Sequence, residues 1–123
     1  MKLLLDNCVH KAVKGFFPGH EATTAFQAGL ARVENGELLA RAAKLFDVLV
    51  TTDKNIRDQH NLATLPIPVI ELAAADTRIE GLLPLAPYCL NALAQTAQYW
   101  FVSVRSDGSL ELKAERTQTR PAG

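Results

Sequence analysis

Neither sign of charge dominates this chain. Its 13 basic and 13 acidic residues cancel, so no global field favours DNA, a membrane surface or a polyanion, and any nucleic acid has to be held locally. Cysteine is scarce too: Cys8 and Cys89 stand far apart without metal-ligand spacing, which predicts a reduced, cytoplasmic setting. Long apolar runs are missing as well. The opening MKLLLDNCV turns acidic after three leucines, too short a run for a signal peptide. The stretch from Leu82 to Ala94 is broken by Pro84, Pro87 and Asn91 and falls short of the roughly 20 residues that cross a bilayer, so no membrane partner is expected. No internal repeat or low-complexity tract is visible.

What is present is enough for one domain over residues 1–116, followed by a polar, patternless tail at 117–123 that is expected to fray. At 123 residues, 48% of them apolar, the chain can bury a sizeable core without staples. Residues 2–5 (KLLL) and 47–52 (DVLVTT) are short apolar runs bounded by polar turn formers, the pattern of strands buried on both faces of a parallel sheet. Each is followed at once by a helix-like segment. NCVHKAVKGFF places Val9, Ala12 and Val13 on one face, and KNIRDQHNL turns Ile56 inward. A third strand is expected at PIPVIEL, which Pro66 and Pro68 can only precede or open, and a weaker one at HEATTA. The clearest helix lies in GLARVENGELLARAAKLF, with Asn35 as N-cap and an apolar stripe of Leu38, Leu39, Ala42, Leu45 and Phe46. From Asp76 to about Gln98 the pattern is helical again, capped by Asp76 or Thr77 and broken near Pro84. QYWFVSVR, SDGS and LELKAER read as strand, turn and strand, with Asp107-Gly108 as a two-residue hairpin signal.

Strands alternating with helices predict an α/β fold, a mainly parallel sheet covered on both faces, with every strand ending on the same edge. Asp6 terminates the first strand and Asp53 the strand at 47–52; if those strands are neighbours, the two carboxylates meet beside a topological switch point. Glu37, in the first turn of the following helix, could be aimed at the same edge. Three acids so close repel unless a cation sits between them. Hard oxygen donors without His or Cys suit Mg²⁺ or Mn²⁺, with a substrate phosphate completing the shell, and phosphodiester hydrolysis is the chemistry that follows. The plainer reading is that Asp6 and Asp53 cap the helices they precede, and that Glu37 complements a helix N-terminus.

The segments LLLDN (3–7), PGHEATT (18–24), NGELLARAA (35–43), DVLVTTDKN (47–55) and QHNLA (59–63), in this order and spacing, resemble a bacterial PIN-like family of small proteins related to the PIN-domain toxins of toxin–antitoxin pairs. The resemblance covers about residues 2–104. It implies a three-layer α/β/α sandwich and Mg²⁺- or Mn²⁺-dependent ribonuclease activity on RNA, often restrained by an antitoxin protein. Asp6, Glu37 and Asp53 take the positions of the family's catalytic, metal-binding acids. Where relatives often carry further acids, this chain has Asn7, Asn35 and Asn55. Asp58 could replace a missing ligand, although in a helix begun at Lys54 it reads better as a solvent-facing partner of Lys54 or Arg57. The thinned cluster keeps an alternative open: a catalytically weakened or inactive PIN-like module that binds RNA or a protein.

Lys11, Lys54 and Arg57, with Lys14, Arg32 and His60, could line the same edge and contact RNA phosphates; solvated surface is the plainer assignment. The three histidines share no metal spacing. Cys8 has no His or Asn partner placed to make it a nucleophile and reads as a buried structural thiol. Tyr99, Trp100 and Phe101 could stack on bases but fit better as core and edge of a strand. A phospho-acceptor domain also gathers Asp residues at strand ends, yet it needs a Lys after a later strand, where this chain has AAAD. Besides RNA and an antitoxin, a second copy of the chain is the remaining candidate partner.

Overall fold

The computed structural model describes residues 1–116; the expectation of a frayed tail at 117–123 lies outside the described residues. Six strands form one sheet: β1 (Lys2–Leu5), β2 (Glu21–Thr24), β3 (Val48–Thr51), β4 (Val69–Ala73), β5 (Tyr99–Arg105) and β6 (Leu110–Glu115), in the order β2-β1-β3-β4-β5-β6. The first five are parallel and β6 closes the sheet antiparallel to β5. The near-continuous apolar runs of β1, β3, β4 and β5 reflect burial on both faces. Leu3, Leu5, Val48, Val50, Ile70, Leu72, Val102 and Val104 pack on one face against Val13, Phe16, Leu82, Leu85, Cys89 and Leu93. Leu4, Leu49, Val69 and Phe101 pack on the other against Leu38, Leu39, Ala42, Ile56 and Leu65. The chain is thus an α/β fold with a mostly parallel sheet covered on both sides, and none of its described helices is long and apolar enough to cross a membrane.

Helices α1 (Asn35–Leu45), α2 (Asn55–Gln59), α3 (Ile79–Leu82) and α4 (Cys89–Gln95) fall in the expected segments, with a 3₁₀ stretch at Leu83–Tyr88 where Pro84 and Pro87 remove backbone donors. Several details differ from the sequence-based expectations. The segment after β1 forms a 3₁₀ helix only from Lys11 to Phe16, capped by His10, whose Nδ1 accepts the Ala12 N–H at 3.0 Å; β-branched Val9 and Val13 and Gly15 weaken a longer α-helix there. The cap of α1 is Glu34, whose carbonyl accepts the Leu38 N–H, so Asn35 is already the first helical residue. Leu45, placed in its apolar stripe, is 60% exposed. Arg78 rather than Asp76 or Thr77 precedes α3, and Asp76 instead accepts the Arg78 N–H in a tight turn. Cys8 is exposed, because it sits in the turn before the 3₁₀ helix and not within a packed face.

The final hairpin has a three-residue loop, Ser106–Gly108, and not a two-residue one. Arg105 O accepts the Gly108 N–H at 3.0 Å, Arg105 N–H donates to Ser109 O at 3.0 Å, and Gly108 takes φ +89°, the glycine bulge that follows a type I turn.

Two glycines test the packing in opposite senses. A methyl group at Gly81 would collide with the Asp76 backbone, whereas one at Gly36 meets nothing within 4 Å. Gly81→Ala is expected to destabilise by about 1–3 kcal/mol through overpacking, and Gly36→Ala to stabilise by about 0.5–1 kcal/mol through lower backbone entropy. Urea unfolding of the two variants beside the parent checks both signs.

Candidate functional site at the carboxyl ends of the strands

Register places the polar groups of this sheet in one row. Val50, Ile70 and Val102 are aligned across β3, β4 and β5, and the next row reads Thr51, Glu71, Ser103 and, on β6, Glu111. Asp6 continues that row past the end of β1, its N–H donating to Val50 O at 2.9 Å. Asp6, Thr51, Glu71 and Ser103 lie two residues on from Leu4, Leu49, Val69 and Phe101 of the face covered by α1 and α2, so they share that face, and Glu111 joins them as the cross-strand partner of Ser103. Asp6, Thr51, Glu71 and Ser103 are buried. Such groups must be satisfied internally.

At the β1–β3 end of the row, Thr51 is the joint. Its hydroxyl donates to Asp6 Oδ2 at 2.9 Å, and its oxygen accepts the Asp53 N–H at 3.0 Å. Asp6 Oδ1 accepts the Asn7 N–H at 2.7 Å, and the Asn7 amide donates to Ala31 O at 2.7 Å, which ties this strand end to the loop before α1. Asp53 Oδ1 accepts the Asn55 N–H at 2.8 Å as α2 begins. The expected adjacency of Asp6 and Asp53 is therefore found, across the switch point where β2 and β3 leave β1 on opposite sides. Both acids line one cleft of about 440 Å³ with Asn7, Cys8, Val33 and Thr52. The Cys8 thiol lies 3.7 Å from Asp6 Oδ2 and 3.6 Å from Thr51 Oγ1.

Glu37 is placed differently. It is exposed in the first turn of α1, and its carboxylate pairs with Arg41 at 2.7 Å. Among the described residues, no three His, Cys, Asp or Glu side chains are gathered as a metal-binding group. Asn55 is exposed beside Asp53, and nothing is described of the Asn35 side chain. Asp58 is exposed, but Arg57 pairs with Glu71 and Glu111 rather than with it. Lys11 lines a second cavity between the ends of β1 and β2. Lys54 and Arg57 line a third, of about 280 Å³, with Asp58, Glu71, Ser103 and Arg105.

At the β4–β6 end, Glu71 is 2% exposed in the middle of the sheet. Its Oε1 accepts Ser103 Oγ–H at 2.8 Å and Arg57 Nη2 at 2.9 Å, and Oε2 accepts Arg57 Nε at 3.3 Å. Arg57 Nη1 lies 2.9 Å from Glu111 Oε1, and Arg105 and Lys113 pair with the same Glu111. Burial alone would lower the Arg57 pKa, but its hydrogen bond to Glu71 and the charges of Glu71 and Glu111 outweigh that and raise it. For Glu111, burial would raise the pKa, while Arg57, Lys113 and Arg105 together hold it below the usual glutamate range. Cys89, by contrast, is pushed up to about 12 by burial and is an inert core thiol. The sequence singles out Arg57 only as a phosphate contact or a partner of Asp58, and not the Glu71–Arg57–Ser103 group to which it belongs. Its one signal there is a glutamate inside VIEL, a run whose other members are all core.

No family model matches the chain, and no curated protein or solved structure is detectably similar to it.

Arg57→Leu leaves the Glu71 carboxylate buried and unpaired and is expected to cost about 3–5 kcal/mol, whereas Arg57→Leu combined with Glu71→Leu recovers most of the loss. A double-mutant cycle by urea unfolding reads the coupling. Because the folded pKa of Glu111 is lowered, its stabilising contribution is full above the unfolded value of about 4.3 and disappears as pH falls through the folded value. Glu111→Gln should therefore be less stable than the parent at pH 7, with the difference closing below about pH 4 in melts across that range.

Proposed function

We propose that this chain is a PIN-like, metal-dependent ribonuclease of the toxin–antitoxin kind, with the sheet and its helices forming a three-layer α/β/α sandwich and Asp6 and Asp53 as its principal acids. What carries the reading is the shared Thr51: one hydroxyl holds the carboxylate of Asp6 and the backbone of Asp53 at the rim of a single cleft. Mg²⁺ or Mn²⁺ commonly rests on one or two carboxylates and completes its shell with water and phosphate oxygens, and this hard-oxygen pair, without a nearby imidazole, is a donor set of that kind. When bound, such an ion supplies a water of lowered pKa and offsets charge on the phosphoryl oxygens.

The residues of the chain have distinct tasks in this scheme. Thr51 and the backbone N–H of Asn7 fix the orientation of Asp6, and the backbone N–H of Asn55 fixes that of Asp53. Glu37 joins as a third acid by leaving Arg41; both partners of that pair are more than half exposed, so the exchange costs little. Lys11 and Lys54 hold phosphates on either side, while Arg57 acts through Glu71 and keeps α2 in place. An antitoxin protein and a second copy of the chain are the partners this reading carries with it, in a cytoplasmic setting. The non-catalytic reading rests on a specific observation as well, the lack of a three-acid group among the described residues.

Purified protein with Mn²⁺ should cleave RNA slowly, and chelator should abolish the cleavage. Asp6→Asn or Asp53→Asn should lower the rate by about 10²-fold, the scale on which a group that stabilises transition-state charge acts. A parent that cleaves nothing while Asn55→Asp does would favour the binding module.

A further inference from the structure

On the opposite side of Asp6 and Asn7 lies a second cavity, of about 430 Å³, between the ends of β1 and β2. That volume is within the roughly 300–1,000 Å³ of small-molecule sites. It shares Asp6 and Asn7 with the Asp6–Asp53 cleft, so this groove and the cleft adjoin at those two residues. Its other walls include Lys11, Lys14, Phe26 and Gln27.

Phe26 is 82% exposed, more than any other large apolar side chain of the described residues. It does not hang on a loose loop. Before it, Ala25 is buried and its N–H donates to Leu5 O at 2.8 Å; after it, Leu30 N–H returns to Ala25 O at 2.8 Å. Gln27 closes the turn twice, its N–H donating to Thr24 Oγ1 and its Oε1 accepting the Thr24 N–H, both at 3.1 Å. The same Oε1 accepts Lys14 Nζ at 2.6 Å. A neutral amide thus steers the ammonium without cancelling its charge, and among the described residues neither Lys11 nor Lys14 forms a salt bridge. The turn thus anchors the backbone that carries the exposed Phe26 ring beside two lysines, in a cavity that Asp6 also lines.

We propose that this groove holds one unpaired nucleotide of an RNA strand beside the Asp6–Asp53 cleft, its base stacked on Phe26 and its phosphate held by Lys11 and Lys14. The proposal rests on the ribonuclease reading and adds to it a subsite of this chain, in which Phe26 takes a base that is out of a helical stack. Stacking on an aromatic ring is sequence-tolerant, so the groove selects strandedness rather than a base.

The test is fluorescence anisotropy of a labelled oligouridine octamer and of a duplex of equal length, in chelator and in Ca²⁺. The probes are the full-length parent, Phe26→Ala, Phe26→Leu, Phe26→Tyr and the Lys11→Ala, Lys14→Ala double variant. None of these positions is buried, so all of the variants should fold, which melting curves verify. The expected result is tighter binding of the single strand, a loss of about tenfold for Phe26→Ala and Phe26→Leu, and affinity within about twofold of the parent for Phe26→Tyr. The lysine variant should lower the slope of log affinity against log salt by about 0.7, for the one phosphate that the two lysines hold. Binding that ignores Phe26 overturns the groove while leaving the ribonuclease reading to the cleavage assay, and marks Phe26 as a face for a protein partner. Absence of single-strand binding by the parent in either condition overturns it as well. Phe26-dependent binding with no cleavage upholds the groove and removes the ribonuclease reading.

Discussion

A sheet buried on both faces leaves no water for a polar side chain, yet this one carries a row of them from Asp6 through Thr51, Glu71 and Ser103 to Glu111. Satisfying that row constrains the rest of the structure. Glu71 demands a cation, and Arg57 answers from α2, so a helix of only five residues, too short to be stable by itself, is fixed against the sheet by charge as well as by Ile56. Asp6 demands donors, and Thr51 and Asn7 answer, which ties β1 to β3 and to the loop before α1.

The two ends of the row do different work. At β4–β6 the charges close on one another, three cations around Glu111 and a guanidinium across Glu71; this is an internal network whose removal in one piece costs less than its disruption. At β1–β3 the row ends at a cleft that Asp6 and Asp53 both line. An anion-rich opening at the switch point of a parallel sheet is where ligands gather in such folds, and that asymmetry directs attention to Asp6 and Asp53 and not to the more deeply buried Glu71.

Much of this was legible in the sequence because period and punctuation report local structure directly. The buried strands announced themselves as KLLL, DVLVTT and PIPVIEL, and their order with intervening helices implied a parallel sheet and neighbouring acids. Details governed by tertiary competition were not legible. The segment after β1 looks helical by apolar spacing, yet the hydrogen bonds of His10 and Asn7 make it a short 3₁₀ turn. The glycine bulge at Gly108 and the Asp107 and Ser109 hydrogen bonds decide a loop length that the Asp-Gly pair alone suggests differently. Register is the larger gap: nothing local says that Thr51, Glu71, Ser103 and Glu111 line up, and without that alignment Arg57 reads as a free surface cation and Phe26 as an unremarkable loop residue.

Whether Asp6 and Asp53 act as one cation site is tested most directly by the melting temperature of the parent and of Asp53→Asn, each in chelator and in saturating Mn²⁺. Asparagine can still accept the Asn55 N–H, so the turn into α2 survives the change, while one of two like charges at the cleft is removed. A shared cation site predicts that the parent gains stability with Mn²⁺, that Asp53→Asn melts above the parent in chelator, and that the variant no longer responds to the ion. A parent that shows no Mn²⁺-dependent shift, with Asp53→Asn melting at the same temperature in both conditions, would contradict it and leave Asp53 as a helix cap.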